Sequence, residues 1–279
     1  MKNECKRYRA RRAGWLSIVI ALGGVVSGGC NGHNAPPVVA GPVVTPSGNR
    51  VIIFTNSTGF RHESIEAEAE TMRVALTAEG LTPEVTADPS RISAASLSNA
   101  RGVILISTTG KPFGDPGTEA LAALDSFVHA GGALIGLHAA SSTFYDANGP
   151  LTRLIGAKFV NHPGKVRPAK CYTAGTHPAV VALGPTIDVT DEIYVHDHLR
   201  ADNQVILTCD AFDGAQKLPI AWVREGLDGA GRVFFSALGH NAADYTAATK
   251  LFHDHWFRGT LWALGLNQPV AMSRTPTLR

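Results

Sequence analysis

The apolar positions of this chain fall into short, dense runs separated by polar and glycine-rich stretches. Val51–Thr55 (V-I-I-F-T), Gly102–Ser107 (G-V-I-L-I-S) and Ala133–His138 (A-L-I-G-L-H) are almost continuous apolar runs. Runs of that length, rich in branched residues, predict strands buried on both faces. The segments between them read differently. Glu63–Glu79 sets Ile65, Met72, Val74 and Leu76 among Glu and Ala and is closed by Gly80, which predicts a helix with a glycine stop. Pro83–Thr86 (P-E-V-T) predicts a second strand. Gly117–Ala130 places Leu121, Leu124, Phe127 and Val128 at helical spacing ahead of Gly131-Gly132. Strands alternating with amphipathic helices predict a parallel sheet covered by helices on both faces.

The second half is less regular. Pro150–Gly156 reads as a short helix. Val166–Thr173 and Ile187–Val195 read as strands of an inserted or added region, and Gln204–Cys209, Ile220–Glu225 and Arg232–Leu238 as further strands. Ala247–Leu264, with Leu251, Phe252, Trp256, Leu261 and Trp262, predicts a closing helix. His253 and His255 on it, two apart, are expected at the surface.

The first 30 residues stand outside this pattern. Lys2, Lys6, Arg7, Arg9, Arg11 and Arg12 precede the apolar run Trp15–Val26, which is followed by S-G-G-C ending at Cys30. A basic start, a short apolar run and small residues before a cleavage point make a secretory signal. The run, about 12 residues, is shorter than the roughly 20 of a spanning helix. Small residues directly before Cys30 resemble the bacterial lipobox, with Ser27 where an aliphatic residue is usual. The expectation is an exported protein, with residues 1–30 as a lipoprotein-type signal and Cys30 lipidated. The membrane would then be a partner through the N-terminal lipid, at the periplasm or cell surface. Residues 31–49, with Pro36, Pro37, Pro42 and Pro46, read as an extended tether. One α/β domain is expected over 50–269, and a tail over 270–279.

The 279 residues are 44% hydrophobic and 17% charged, enough apolar material for a sizeable core. Most of the basic excess behind the formal +2 lies in the leader, so a nucleic-acid-binding face is not expected. Beyond the leader only Cys171 and Cys209 remain. They either pair, as exported proteins permit, or stay as two buried thiols.

In open parallel α/β sheets ligands bind beyond the carboxyl ends of the strands. Val51–Thr55 leads to His62, Ala133–Leu137 to His138, and Val233–Leu238 to His240, each among small polar and glycine residues. Three strands therefore deliver three histidines to one sheet edge. Each has a structural alternative: His138 as a core histidine bonded to a carbonyl, His62 or Ser64 as a helix cap. His162 and His177 precede prolines and also read as turn residues. Asp191 and Glu192 could orient a histidine or serve as a base, or mark a solvated strand edge. His196 and His198 could share one strand face. No G-x-G-x-x-G, G-x-S-x-G, H-E-x-x-H or P-loop pattern is present.

Several stretches together resemble the trehalose-utilisation (ThuA-like) family. They are G-F-R-H at Gly59–His62, G-L-H-A-A-S-S-T-F-Y at Gly136–Tyr145, L-I-G-A-K-F-V-N-H-P at Leu154–Pro163 and T-H-P at Thr176–Pro178. D-E-I-Y at Asp191–Tyr194, P-I-A-W at Pro219–Trp222 and G-R-V-F-F-S-A-L-G-H at Gly231–His240 continue the series. The resemblance implies a flavodoxin-like, class I glutamine amidotransferase-like α/β fold. In amidotransferases the turn after the central strand carries a catalytic cysteine. His138 holds that position here, so thioester chemistry is not available. The family is linked to disaccharide or oxidised-sugar metabolism.

Histidine acts at neutral pH as an acid/base or as a metal ligand. The reading is therefore a sugar-modifying enzyme, a hydrolase or isomerase/lyase acting on a disaccharide or keto-sugar. His138 is the central acid/base or ligand, with His62 and His240 beside it. Arg61, Asn161, His162, Asp191 and Glu192 are expected to contact substrate. His62, His138, His162 and His240, with Glu192 as a further candidate, would hold any divalent metal, such as zinc. The alternative is a membrane-tethered carbohydrate-binding protein without turnover.

Overall fold

In the computed structural model, residues 48–115, 117–144, 146, 149–227 and 231–266 are described. The expectations for the signal segment, Cys30, the tail and most of the tether lie outside them. Buried apolar runs become the central strands: β1 (Arg50–Phe54), β2 (Thr82–Thr86), β3 (Ala100–Ile106) and β4 (Ala133–Leu137). Between them lie α1 (Ile65–Ala78) and α2 (Thr118–His129). α3 (Pro150–Ile155) begins on a proline whose missing N–H costs nothing in a first turn.

β5 (Lys158–Asn161), β6 (Val166–Thr173), α4 (Pro178–Val181), β7 (Thr186–Glu192) and β8 (Val195–Asp197) follow. β9 (Gln204–Asp210), β10 (Lys217–Leu227) and β11 (Gly231–Ser236) complete the strands used below. A π-helical stretch, Phe252–Phe257, runs into α5 (Arg258–Ala263).

Among the described residues one sheet has nine strands in the order β2-β1-β3-β4-β11-β10-β9-β6-β7. The first five are parallel neighbours and the remaining pairs antiparallel. Counted among themselves, the five parallel strands take the 2-1-3-4-5 order of flavodoxin-like sheets. Neighbouring residues of β11 show that both faces are covered. Phe234 packs on Gly259 of α5, while Phe235 stacks on Trp222. The Trp222 indole N–H in turn donates to the Ile155 carbonyl at the end of α3, at 2.7 Å.

Cys171 and Cys209 lie directly opposite each other in the β6–β9 register and form a disulfide, which resolves the alternative left open by the sequence. The expected strand Ile187–Val195 is broken. β7 ends at Glu192, and β8 begins at Val195 and pairs with β5 in a separate two-stranded sheet. The break follows from burial: Ile193 and Tyr194 turn into the core next to Asp191 and Glu192.

His255 is a correction. It is fully buried rather than at the surface, with Nδ1 2.8 Å from the Ala179 carbonyl and Nε2 2.9 Å from Ser236 Oγ. The π-helical stretch departs from the 3.6-residue spacing on which the surface expectation rested, and only His253 stays exposed. His196 and His198 do not share a face. The His196 ring packs against Trp222 and Phe235, and His198 lies beyond β8 with φ 51°.

Candidate functional site

The strand ends of β1, β4 and β11 converge with the end of β7. His138 is the first residue after β4 and is fully buried at φ 48°. That left-handed conformation is costly for a side chain bearing Cβ. It turns the ring back over the sheet edge. His138 Nδ1 lies 2.9 Å from the Ala237 carbonyl, which can only accept, so Nδ1 carries the proton and Nε2 faces the site. There it meets the Tyr194 hydroxyl at 3.2 Å and Glu192 Oε2 at 3.6 Å.

Glu192 is the hub. Its Oε2 lies 4.0 Å from His62 Nε2 and 3.3 Å from His240 Nδ1, and its Oε1 lies 3.5 Å from His162 Nδ1. One ligand atom each from His62, His138, Glu192 and His240 falls within 4.8 Å of the others. The metal set expected from sequence named His162 as the fourth member. The geometry puts the Glu192 carboxylate there and leaves His162 as its neighbour. The cluster is closed beneath and open on one side: the His138 side chain is 0% exposed and His62 5%, against 26% for His240 and 33% for His162.

Burial decides the charge of these rings. Desolvation, then the neighbouring His240 and His162, lowers the His62 pKa to about 4. Desolvation also holds His138 well below the usual histidine value, aided by His62 and opposed by the bond to Ala237. Both rings are therefore neutral at pH 7, the form that binds metals or accepts protons. Tyr194 is pushed well above the usual tyrosine range by burial and then by Glu192 and Asp191, so its hydroxyl keeps its proton and donates to His138.

Asp191 supports the site from behind. Its carboxylate accepts the amides of Glu192 at 2.7 Å, Gly239 at 2.7 Å and His240 at 3.2 Å. It thus pins the backbone of two site residues on different strands. Gly239 is needed for this. At φ 135°, a Cβ would collide with the Tyr245 hydroxyl and press on His138 Cβ. Burial raises Asp191 to about 7, while the three amides pull it down. Glu68, buried beneath with Ser107 Oγ 2.9 Å from it, is raised by burial to about 8.

Other residues singled out in the sequence have partners of their own. The Arg61 guanidinium is engaged by the Thr55 carbonyl and Glu66. Asn161 is exposed at the end of β5, opposite Val195. His177 caps α4, where Nδ1 accepts the Ala179 amide at 3.2 Å. His62 and Ser64 make no side-chain cap on α1. Sequence reading had not assigned a role to Tyr194. Its position two residues after Glu192 was visible, but the interruption between β7 and β8 that turns it inward was not.

Fold and site together define a flavodoxin-like α/β protein with a histidine-lined cluster at the carboxyl ends of its parallel strands. The trehalose-utilisation (ThuA) family profile matches residues 50–263, most of the chain, and the protein belongs to that family. Solved structures share the fold. A ThuA-like protein from Bacteroides uniformis is 17% identical with a TM-score of 0.59, covering 82% of this chain and 96% of its own. One from Parabacteroides merdae is 16% identical with a TM-score of 0.59, covering 81% and 93%. A beta-galactosidase from Rahnella sp. R3 is 16% identical with a TM-score of 0.51, covering 79% of this chain and 32% of its own. No curated protein matches the chain at a significant level.

Proposed function

We propose that this ThuA-family domain is a metal-dependent sugar-modifying enzyme, a hydrolase or isomerase/lyase acting on a disaccharide or keto-sugar. One observation carries the reading: three histidine nitrogens and a carboxylate oxygen lie within 4.8 Å of one another at a largely buried strand edge. The donor set fits a divalent ion of the zinc type. Neutral, buried imidazoles are ready ligands, and His138 has the carbonyl partner that orients a metal-binding ring. His62 Nδ1 and His240 Nδ1 are buried without a hydrogen-bond partner, which leaves lone pairs available.

A divalent cation held there would polarise a sugar oxygen and lower the pKa of bound water. The chain supplies the rest. The Glu192 carboxylate would share the ion with the histidines and leave its second oxygen as an acceptor for a substrate hydroxyl. The Tyr194 O–H is a held proton donor beside His138 Nε2. His162 and His240 form the open side through which substrate hydroxyls arrive. The association of the family with trehalose utilisation supports a carbohydrate substrate.

Export belongs to the same proposal, together with anchoring of the chain through Cys30. It is supported by the signal-like leader and by the Cys171–Cys209 disulfide, a bond that persists in oxidising compartments. Among the described residues no helix is long and apolar enough to cross a membrane.

The test is product analysis by NMR after incubating the purified protein with disaccharides and their 3-keto forms, as isolated, after chelation and after metal add-back. Turnover lost on chelation and restored by a divalent metal is expected. Full activity in the metal-free protein would end the metal assignment. Sugar binding without product, in wild type and in His138→Ala alike, would replace the enzyme with a binding protein.

A further inference from the structure

Phe60 is 68% exposed, the most exposed large apolar side chain among the described residues. It does not hang from a slack loop. Its carbonyl accepts both Ser57 Oγ at 3.0 Å and Thr109 Oγ1 at 2.8 Å. The Thr58 and Gly59 amides also bond the Thr109 carbonyl, at 3.1 and 3.4 Å. Four hydrogen bonds thus fix the backbone that carries this exposed ring.

That place adjoins the site. The Phe60 ring centroid is 4.8 Å from that of His62, edge to face, and His62 is in turn 4.5 Å from His138 and 5.4 Å from His240. Phe60 therefore lies one ring outward from the cluster. Elsewhere beside the cluster, Tyr194 stacks on His162 at 5.5 Å and meets Phe159 at 4.6 Å. The cluster is thus bordered by aromatic rings and centred on the Glu192 carboxylate.

From this placement we propose that Phe60 is the stacking platform for a second sugar ring. One ring of a two-ring glycoside sits at the Glu192–histidine cluster, and the neighbouring pyranose lays its C–H face on Phe60. The electron-rich face of an aromatic ring suits the weakly positive C–H edges that a pyranose presents between its hydroxyls. The proposal rests on the carbohydrate reading above and, of the two substrate classes named there, selects the two-ring one and assigns its second ring a binding residue.

The experiment is a calorimetric titration of the full exported chain, loaded with zinc, using glucose and a panel of disaccharides (trehalose, maltose, cellobiose, sucrose). Wild type, Phe60→Ala and Phe60→Trp are compared, and metal content and unfolding midpoint are measured for each. For wild type, at least one disaccharide is expected to bind more tightly than glucose, by roughly 5- to 10-fold. Phe60→Ala is expected to abolish that preference, leaving glucose affinity, metal content and unfolding midpoint unchanged, and Phe60→Trp to retain it. A disaccharide preference that is absent in wild type, or that survives Phe60→Ala, overturns the stacking assignment and leaves the carbohydrate site standing. Wild type that binds no sugar of the panel overturns both.

Discussion

The Asp191 carboxylate near the end of β7 and the Gly239 amide in the loop after β11 are joined by a 2.7 Å hydrogen bond, although those strands are not neighbours in the sheet. Because Asp191 also holds the amides of Glu192 and His240, one side chain sets the spacing between the carboxylate and a histidine of the cluster.

Asp191→Asn is the variant that tests this. An amide side chain keeps the shape but turns one acceptor oxygen into an NH2, which faces a backbone donor. Metal affinity, read by competition with a chromophoric chelator, is expected to fall about 10- to 100-fold. Stability is expected to fall by about 1–3 kcal/mol, the cost of a buried unpaired donor. Unchanged metal affinity would show that the backbone holds the spacing unaided.

Stability is expected to peak near pH 6.5. His62, His177 and His255 are lowered to about 4 and His196 to about 3, each chiefly by burial. Between their folded values and 6.5 the unfolded chain binds more protons, so stability rises with pH in that window. Asp191 and Glu68 are raised, to about 7 and about 8. They act oppositely: above about pH 4 the unfolded chain has lost protons that the fold retains, so their contribution drains away as pH rises towards 8. The histidines outnumber them below 6.5, and only the carboxylates act above it. Urea midpoints measured from pH 4 to 8 report the profile. A midpoint that climbs steadily to pH 8 would contradict it, and Glu68→Gln should flatten the alkaline arm.

Reducing Cys171–Cys209, which closes a 38-residue separation, is expected to cost about 3–4 kcal/mol through the freed unfolded chain. Guanidinium melts with and without reductant measure it. Identical midpoints, with thiol titration confirming reduction, would show that cross-strand packing suffices.

His255→Phe separates structural from site histidines. It leaves the Ala179 carbonyl and Ser236 hydroxyl without the ring that bonds them. Stability is expected to fall by about 1–3 kcal/mol, with zinc content unchanged. Loss of zinc from the folded variant would mean that the two histidine groups are coupled.

The apolar runs at Val51–Phe54, Val103–Ile106 and Ala133–Leu137 told their own story, because a strand buried on both faces must be apolar at every position. The rule that ligands gather at strand carboxyl ends then brought His62, His138 and His240 to one edge. Residues whose position depends on chain reversal were less legible. His255 read as a surface residue because the spacing of an α-helix was assumed through a π-helical stretch. The partner that Arg61 holds in this structure, Glu66 five residues on, was not legible either.

Sequence by itself determined the parallel half of the sheet, the helices that cover it and the three histidine-bearing strand ends, since burial periodicity and strand polarity are local properties. Tertiary structure decided that Glu192 rather than His162 completes the cluster, that Asp191 clamps it, and that Tyr194 turns inward. Those outcomes depend on where β7 ends against β11. No pattern within β7 records that position, because the bonds that fix it come from the Gly239 and His240 amides nearly fifty residues away.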